Sequence, residues 1–108
     1  MAESSKKVNI RRLVLDVLKP HQPRIDVLAL ALGEMDGIES VNIIRTETDS
    51  STEGIIVTIV GSDLIFADIE ETLRDYGSSI HSVDEVVAGE DIIDTVVLPT
   101  EEERIEYK

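Results

Sequence analysis

The apolar residues of this chain alternate between strand-like and helical spacing, and the order of these stretches limits the available folds. Residues 9–19 read NIRRLVLDVLK, and apolar side chains fall on both faces of the strand that this spacing predicts. They are Leu13, Leu15 and Val17 on one face, and Val14 and Leu18 on the other. This pattern is typical of a strand covered on both sides, and Pro20 and Pro23 end it.

Two stretches have the spacing of an amphipathic helix. The first follows Pro23, with Gly37 placed to cap its C-terminus, while the second has Ser62 or Asp63 as its N-cap and Gly77 as its stop. The apolar stripes are Ile25, Leu28, Leu32 and Met35 in the first helix, and Phe66, Ile69, Leu73 and Tyr76 in the second.

Three further strands complete the pattern. Residues 38–48 (IESVNIIRTET) and 54–61 (GIIVTIVG) form a hairpin across the polar turn 49–54, and residues 79–89 (SIHSVDEVVAG) form the last strand. The resulting order is β-α-β-β-α-β. Right-handed crossovers fold this order into an α+β, ferredoxin-like sandwich with two helices on one face of a four-stranded antiparallel sheet of order 4-1-3-2.

The 108 residues suit one domain with a single core. We expect residues 1–8 to be a flexible leader, 9–98 to be the ferredoxin-like domain, and 99–108 to be an acidic tail. The domain includes a C-terminal apolar arm, residues 90–98, which packs either on its own subunit or on a neighbour.

The charge and composition exclude several classes of partner. The chain has a net charge of −13, which would repel nucleic acid. RNA-recognition modules share the strand order, but they stack bases on strand aromatics, whereas Phe66, Tyr76 and Tyr107 fall on the second helix and the tail. Cysteine is absent, and no apolar run approaches the roughly 20 residues of a membrane span. These features predict a cytoplasmic protein that binds neither nucleic acid nor membrane.

Several polar residues fall where the first and last strands of this fold lie side by side. If Asp16 lies about opposite Asp84, then His81 lies near Lys19, and the loop that follows the first strand comes close to the last. The candidate ligands are Asp16, His21, His81, Asp84 and Glu85. Carboxylates would hold Ca²⁺ or Mg²⁺, and imidazole would add Zn²⁺. The alternative is a set of solvated charges that protect strand edges.

A catalytic site has less support. Ser79 and Ser82 flank His81, but adjacent strand residues point to opposite faces, and no nucleophile–base pair follows. We therefore expect no enzymatic activity.

The sheet face without helices favours self-association. It is predicted to carry Val14, Leu18 and alternate residues of GIIVTIV, interspersed with Arg12, Asp16 and Arg45. Small domains cover such a face by pairing with copies of themselves. The alternative is that residues 90–99 fold back over the sheet.

The stretches IRRLVLDVLKPHQP, IESVNI and GSSIHSVDEVVAGE resemble the archaeal family called domain of unknown function 211, over roughly residues 9–95. The resemblance implies a ferredoxin-like fold, ring-like homo-oligomers and an archaeal source, but no activity and no catalytic residues. The interpretation is a non-enzymatic, self-assembling domain that binds a divalent cation or a small effector at subunit contacts. A scaffold without a ligand and a small-molecule enzyme are the alternatives.

Overall fold

The computed structural model describes residues 7–93. Its elements are β1 (Ile10–Pro20), α1 (Ile25–Gly33), β2 (Ile38–Thr48), β3 (Thr52–Leu64), α2 (Phe66–Asp75) and β4 (Ser79–Ala88). The strands form one antiparallel sheet of order β2-β3-β1-β4, so the predicted strand order and fold class are confirmed. Most of the predicted leader, the arm beyond residue 93 and the acidic tail lie outside the described residues.

The core lies between the two helices and one face of the sheet. Alternate residues of β1 and β3 point to this face, and buried leucines and an isoleucine of α1 and α2 pack on them. The buried set is Leu13, Leu15, Val17, Ile55, Val57, Ile59 and Leu64 from the sheet, with Leu28, Leu32, Ile69 and Leu73 from the helices. In this single chain β1 is covered on one side: Val14 is half-buried and Leu18 is exposed.

The helix ends agree with the sequence at one position and differ at others. At Gly77, with a φ of 80°, the backbone N–H of Gly77 bonds Arg74 O and that of Ser78 bonds Leu73 O, so the predicted stop is confirmed. The predicted N-caps of α2 are wrong. Ser62 and Asp63 belong to β3, and Ile65 precedes the helix without a side-chain cap.

At the other helix, α1 ends at Gly33, earlier than the predicted stop. Gly37, with a φ of 85°, lies in the turn before β2 instead of capping the helix. Its carbonyl accepts the backbone N–H of Ser62 at 3.0 Å. The glycine therefore joins the start of β2 to the extended end of β3, which accounts for the longer strand.

Both outer strands of the sheet are irregular. In β4 the pairing with β1 skips one residue at two places, so that β4 has two bulged residues. The pairing of β2 with β3 also skips a residue of β2 twice. The bulged residues are all polar: Glu39 and Thr46 in β2, and His81 and Asp84 in β4.

Neither helix within residues 7–93 is long and apolar enough to cross a membrane.

Candidate functional site

The pairing of β1 with β4 differs from the predicted one by two residues. Asp16 lies opposite Ser82 and not opposite the predicted partner Asp84. The register also changes by one residue at each of the bulges at His81 and Asp84, so that Val14 pairs with Glu85 whereas Leu18 pairs with Ser79. The predicted proximity of His81 to Lys19 is also wrong. β4 begins opposite Leu18, and His81 falls beside Asp16.

Two of the five predicted ligands share a groove on the open face of the sheet, the face without helices. Asp16 and His81 both line this groove, whose volume is about 830 Å³. Its other lining residues are Val17, Leu18, Thr46, Glu47, Thr48, Asp49, Thr52, Glu53, Gly54 and Ile56. Carboxylates and hydroxyls line much of the groove, and such groups complement a cation or a donor-rich ligand.

The other predicted ligands have separate partners. The Asp84 carboxylate accepts a hydrogen bond from the Ser82 hydroxyl at 2.7 Å, and Glu85 forms an ion pair with Arg12 at 2.9 Å. His21 lies at the far end of β1. Across residues 7–93, no three His, Asp or Glu side chains converge in a group that could hold a metal ion. A metal at the five predicted residues stays a prediction.

The open face also carries an apolar patch. It consists of Val14 and Leu18 from β1, Ile44 from β2, and Ile56 and Val60 from β3. Ile44 is 57% exposed. The predicted position of Arg45 on this face is wrong. Arg45 pairs with the core residue Ile55, and it therefore points to the helix side of the sheet.

The least expected feature is a buried ion pair at the end of β1. Lys19 lies opposite Glu53 of β3, and its Nζ is 2.7 Å from Glu53 Oε1. Lys19 is 0% exposed and Glu53 is 6% exposed. Lys19 also donates to the carbonyls of Pro20 at 2.9 Å and His21 at 3.4 Å, so the three hydrogens of the ammonium group are all used.

Two more basic side chains lie near the second oxygen of Glu53. His21 Nδ1 and Arg45 Nη1 both lie 3.8 Å from Glu53 Oε2. The other ring nitrogen of His21 donates to the Asp49 carbonyl at 3.0 Å, which joins the loop after β1 to the β2–β3 turn. These residues border a second cavity of about 450 Å³ on the helix side, together with Arg24, Ile25 and Asp26.

Local hydrogen bonds hold two of these carboxylates in the ionised form. The Lys19 ammonium donates to Glu53, and with further help from Arg45 and His21 it lowers the pKa of that carboxyl despite its burial. Backbone N–H groups of Thr52 and Ser51 lower the pKa of Asp49. The Asp49 carboxylate accepts these bonds at 2.9 and 3.1 Å and so fixes the turn.

The sequence contained a signal for the buried pair. Lys19 continues the alternation of Leu15 and Val17, and Glu53 continues that of Ile55 and Val57. An apolar stripe that ends in a lysine on one strand and in a glutamate on its antiparallel neighbour indicates a buried ion pair when the two strands are in register.

Fold and site together define a small ferredoxin-like α+β domain with an open sheet face and a buried ion pair beneath a second cavity. The family model for domain of unknown function 211, described as uncharacterized ArCR, matches residues 11–102, and the chain belongs to this family. An uncharacterized protein of Methanocaldococcus jannaschii is 50% identical over 90 residues, which are 83% of this chain and 93% of that protein. The family match extends past the 9–95 of the predicted resemblance.

Proposed function

We propose that this chain is a non-enzymatic domain that associates with copies of itself through the open face of the sheet. The observation that supports the proposal is the apolar patch of Val14, Leu18, Ile44, Ile56 and Val60, which no helix among residues 7–93 covers. An exposed apolar patch on a small domain marks a contact surface, because its burial removes apolar area from water.

The charges around the patch suit a second copy of the same chain. Arg12 and Asp16 lie on the open face of β1, at equal distances along the strand on either side of Val14. A two-fold axis that passes near Val14 at a right angle to β1 would therefore bring Arg12 of each copy towards Asp16 of the other. Such an arrangement pairs opposite charges around an apolar centre, as expected of an isologous contact.

The net charge sets the conditions for this association. Each copy brings −13 to the assembly, so long-range repulsion opposes contact at low ionic strength. Salt shortens the range of this repulsion to about 8 Å at 0.15 M. We expect the association to strengthen with added salt, opposite to the behaviour of an interface built mainly on ion pairs.

A divalent cation at the contact is the second candidate. Asp16 and His81 line one groove on the face that the proposal buries. Within residues 7–93 one copy offers these two groups without a third ligand to complete a set, whereas two copies that meet there would supply four. A small donor-rich effector would suit the same lining. A cation or effector at this contact requires that two copies associate, so a chain that stays monomeric would contradict this candidate as well.

The test compares two isoleucines with similar exposure. Ile44 lies in the patch and is 57% exposed, while Ile65 lies between β3 and α2 and is 48% exposed. We expect the wild type and Ile65→Glu to be oligomers in native mass spectrometry, whereas Ile44→Glu raises the dissociation constant by at least about 100-fold because it buries a charge.

Native mass spectra with EDTA, and with Ca²⁺, Mg²⁺ or Zn²⁺ added back, test the cation in the same samples. An ion retained per contact, and lost with Asp16→Asn, supports the second candidate. An oligomer that retains no metal supports a scaffold without a ligand and contradicts the cation. A monomeric wild type at every salt concentration contradicts the proposal, and indicates that the arm 90–98 covers the face of its own subunit.

A further inference from the structure

The cavity on the helix side, which adjoins the Lys19–Glu53 pair, lies apart from the open face. Its volume is about 450 Å³, and its lining residues are His21, Arg24, Ile25, Asp26, Arg45 and Glu53. All of them belong to one chain. We infer that this cavity binds a small anion with carboxylate or phosphate oxygens. The inference goes beyond the proposed function, and it holds for a monomer or an oligomer.

The first support is the local charge. The described part of the chain contains seven lysines and arginines, and three of them, Lys19, Arg24 and Arg45, lie in or directly behind this cavity. Two carboxylates, Asp26 and Glu53, are set against these three cations, which leaves one excess positive charge at the cavity and behind it. In a chain with a net charge of −13, such an excess favours an anion locally.

The second support is the way in which existing partners use these cations. Lys19 neutralises Glu53 at 2.7 Å, and Arg24 binds Asp26 through two contacts of 3.1 Å. Arg45 differs, because its Nη1 lies 3.8 Å from Glu53 Oε2, which is too long for a hydrogen bond. Its side chain is 58% exposed, and the guanidinium can turn its N–H groups to an oxyanion without breaking a hydrogen bond to Glu53.

The third support is the rigidity of the floor. Lys19 ties the carbonyls of Pro20 and His21 to β1, and His21 Nε2 donates to the carbonyl of Asp49. These bonds fix the loop between β1 and α1, which carries His21 and Arg24 on one side of the cavity. A loop that is fixed before the ligand arrives loses less entropy on binding.

The buried Lys19–Glu53 pair is a fourth support for a ligand in the adjoining cavity. Removing two charges from water costs several kcal/mol per ion, and apolar side chains of similar volume are often as stable. Lys19 and Glu53 stand where the apolar stripes of β1 and β3 would otherwise continue. We infer that the pair positions the cavity wall and sets the electrostatic field at its base.

The experiment is a titration of the full chain with inorganic phosphate, and separately with succinate, at constant ionic strength. Backbone and arginine side-chain NMR signals report the binding. We expect saturable shifts at residues 19–26, 45 and 53, with a dissociation constant on the order of 1 mM. Phosphate alone, succinate alone or both together support the inference and show which oxyanion the cavity prefers.

Arg45→Gln tests the assignment against a matched control, Arg74→Gln. Arg74 is 68% exposed on α2 and lies 3.7 Å from Glu70, so both variants remove one exposed guanidinium with a loose ion pair. We expect Arg45→Gln to weaken binding by at least about five-fold and Arg74→Gln to change it by less than about two-fold. Equal losses in both variants overturn the inference, as does a wild type that binds neither anion.

Discussion

Replacement of Lys19 by Met would leave a buried carboxylate without its cation. The substitution keeps the volume of the side chain but removes the 2.7 Å contact with Glu53 and the donors to the carbonyls of Pro20 and His21. Breaking a buried pair on one side costs about 3–5 kcal/mol. Since Arg45 lies 3.8 Å from the same carboxylate and offers partial compensation, we expect a loss near the lower limit, about 3 kcal/mol.

The free energy of unfolding is measured by urea denaturation, followed by far-ultraviolet circular dichroism. A loss of this size corresponds to a fall in Tm of about 10–20 °C for a domain of this length. The double variant Lys19→Met with Glu53→Leu removes both charges, and we expect it to lie within about 1 kcal/mol of the wild type. Arg74→Met breaks the exposed pair with Glu70 and serves as control, with an expected loss below about 0.5 kcal/mol.

The pH dependence gives an independent check. The pKa of Glu53 lies below its ordinary value of 4.5 in the folded chain, mainly through the Lys19 hydrogen bond. This group therefore contributes stability above pH 4.5, and the contribution is lost as the pH falls through the lowered pKa. In Lys19→Met, burial favours the protonated carboxyl, so stability should rise as the pH falls from 7 towards 5. A single variant that loses less than about 1 kcal/mol, or a double variant no more stable than the single, refutes the reasoning.

Two further predictions concern turns. Gly37→Ala places a Cβ against the Asp63 carbonyl at a φ of 85°, and it should lower the free energy of unfolding by at least about 2 kcal/mol. In Gly33→Ala the new Cβ, at the end of α1, meets no atom within 4 Å, so this variant should raise the free energy of unfolding by about 0.5–1 kcal/mol. Thermal unfolding measures both. Asp49→Ala removes the acceptor for Thr52. Because backbone N–H groups lower the pKa of Asp49, the variant should be less stable at neutral pH, and the difference should shrink below the ordinary value of 3.8. Equal stability of the two glycine variants, or a constant difference across pH, contradicts these expectations.

The architecture could be predicted because hydrophobic spacing alone determines it. The period of two in β1 and β3 and the helical stripes gave the strand order, and residues 38–48 coincide with β2. Gly77 could also be predicted as the helix stop, because it directly follows the apolar stripe of α2, and its φ is positive. The N-cap of α2 was wrong because β3 continues past Gly61 into Ser62 and Asp63, which the polar character of these residues concealed.

The site was less accessible to sequence reasoning because it depends on strand register. The extra residues at His81 and Asp84 displace β4 along β1, and no local sequence pattern marks such a bulge. His81 therefore lies beside Asp16 in one groove, whereas Asp84 and His21 do not line that groove. The Lys19–Glu53 pair joins residues far apart in sequence, and its recognition requires the alignment of β1 with β3.

The bulges in the outer strands limit how far the sheet can be extended by strands of other molecules. A sheet extends into a filament only if a straight outer strand can accept the backbone of another molecule along its length. Glu39 and Thr46 interrupt one margin of this sheet, and His81 and Asp84 interrupt the other. These interruptions make each margin a poorer template for the backbone of another molecule, which disfavours polymerisation of this β-rich chain strand by strand.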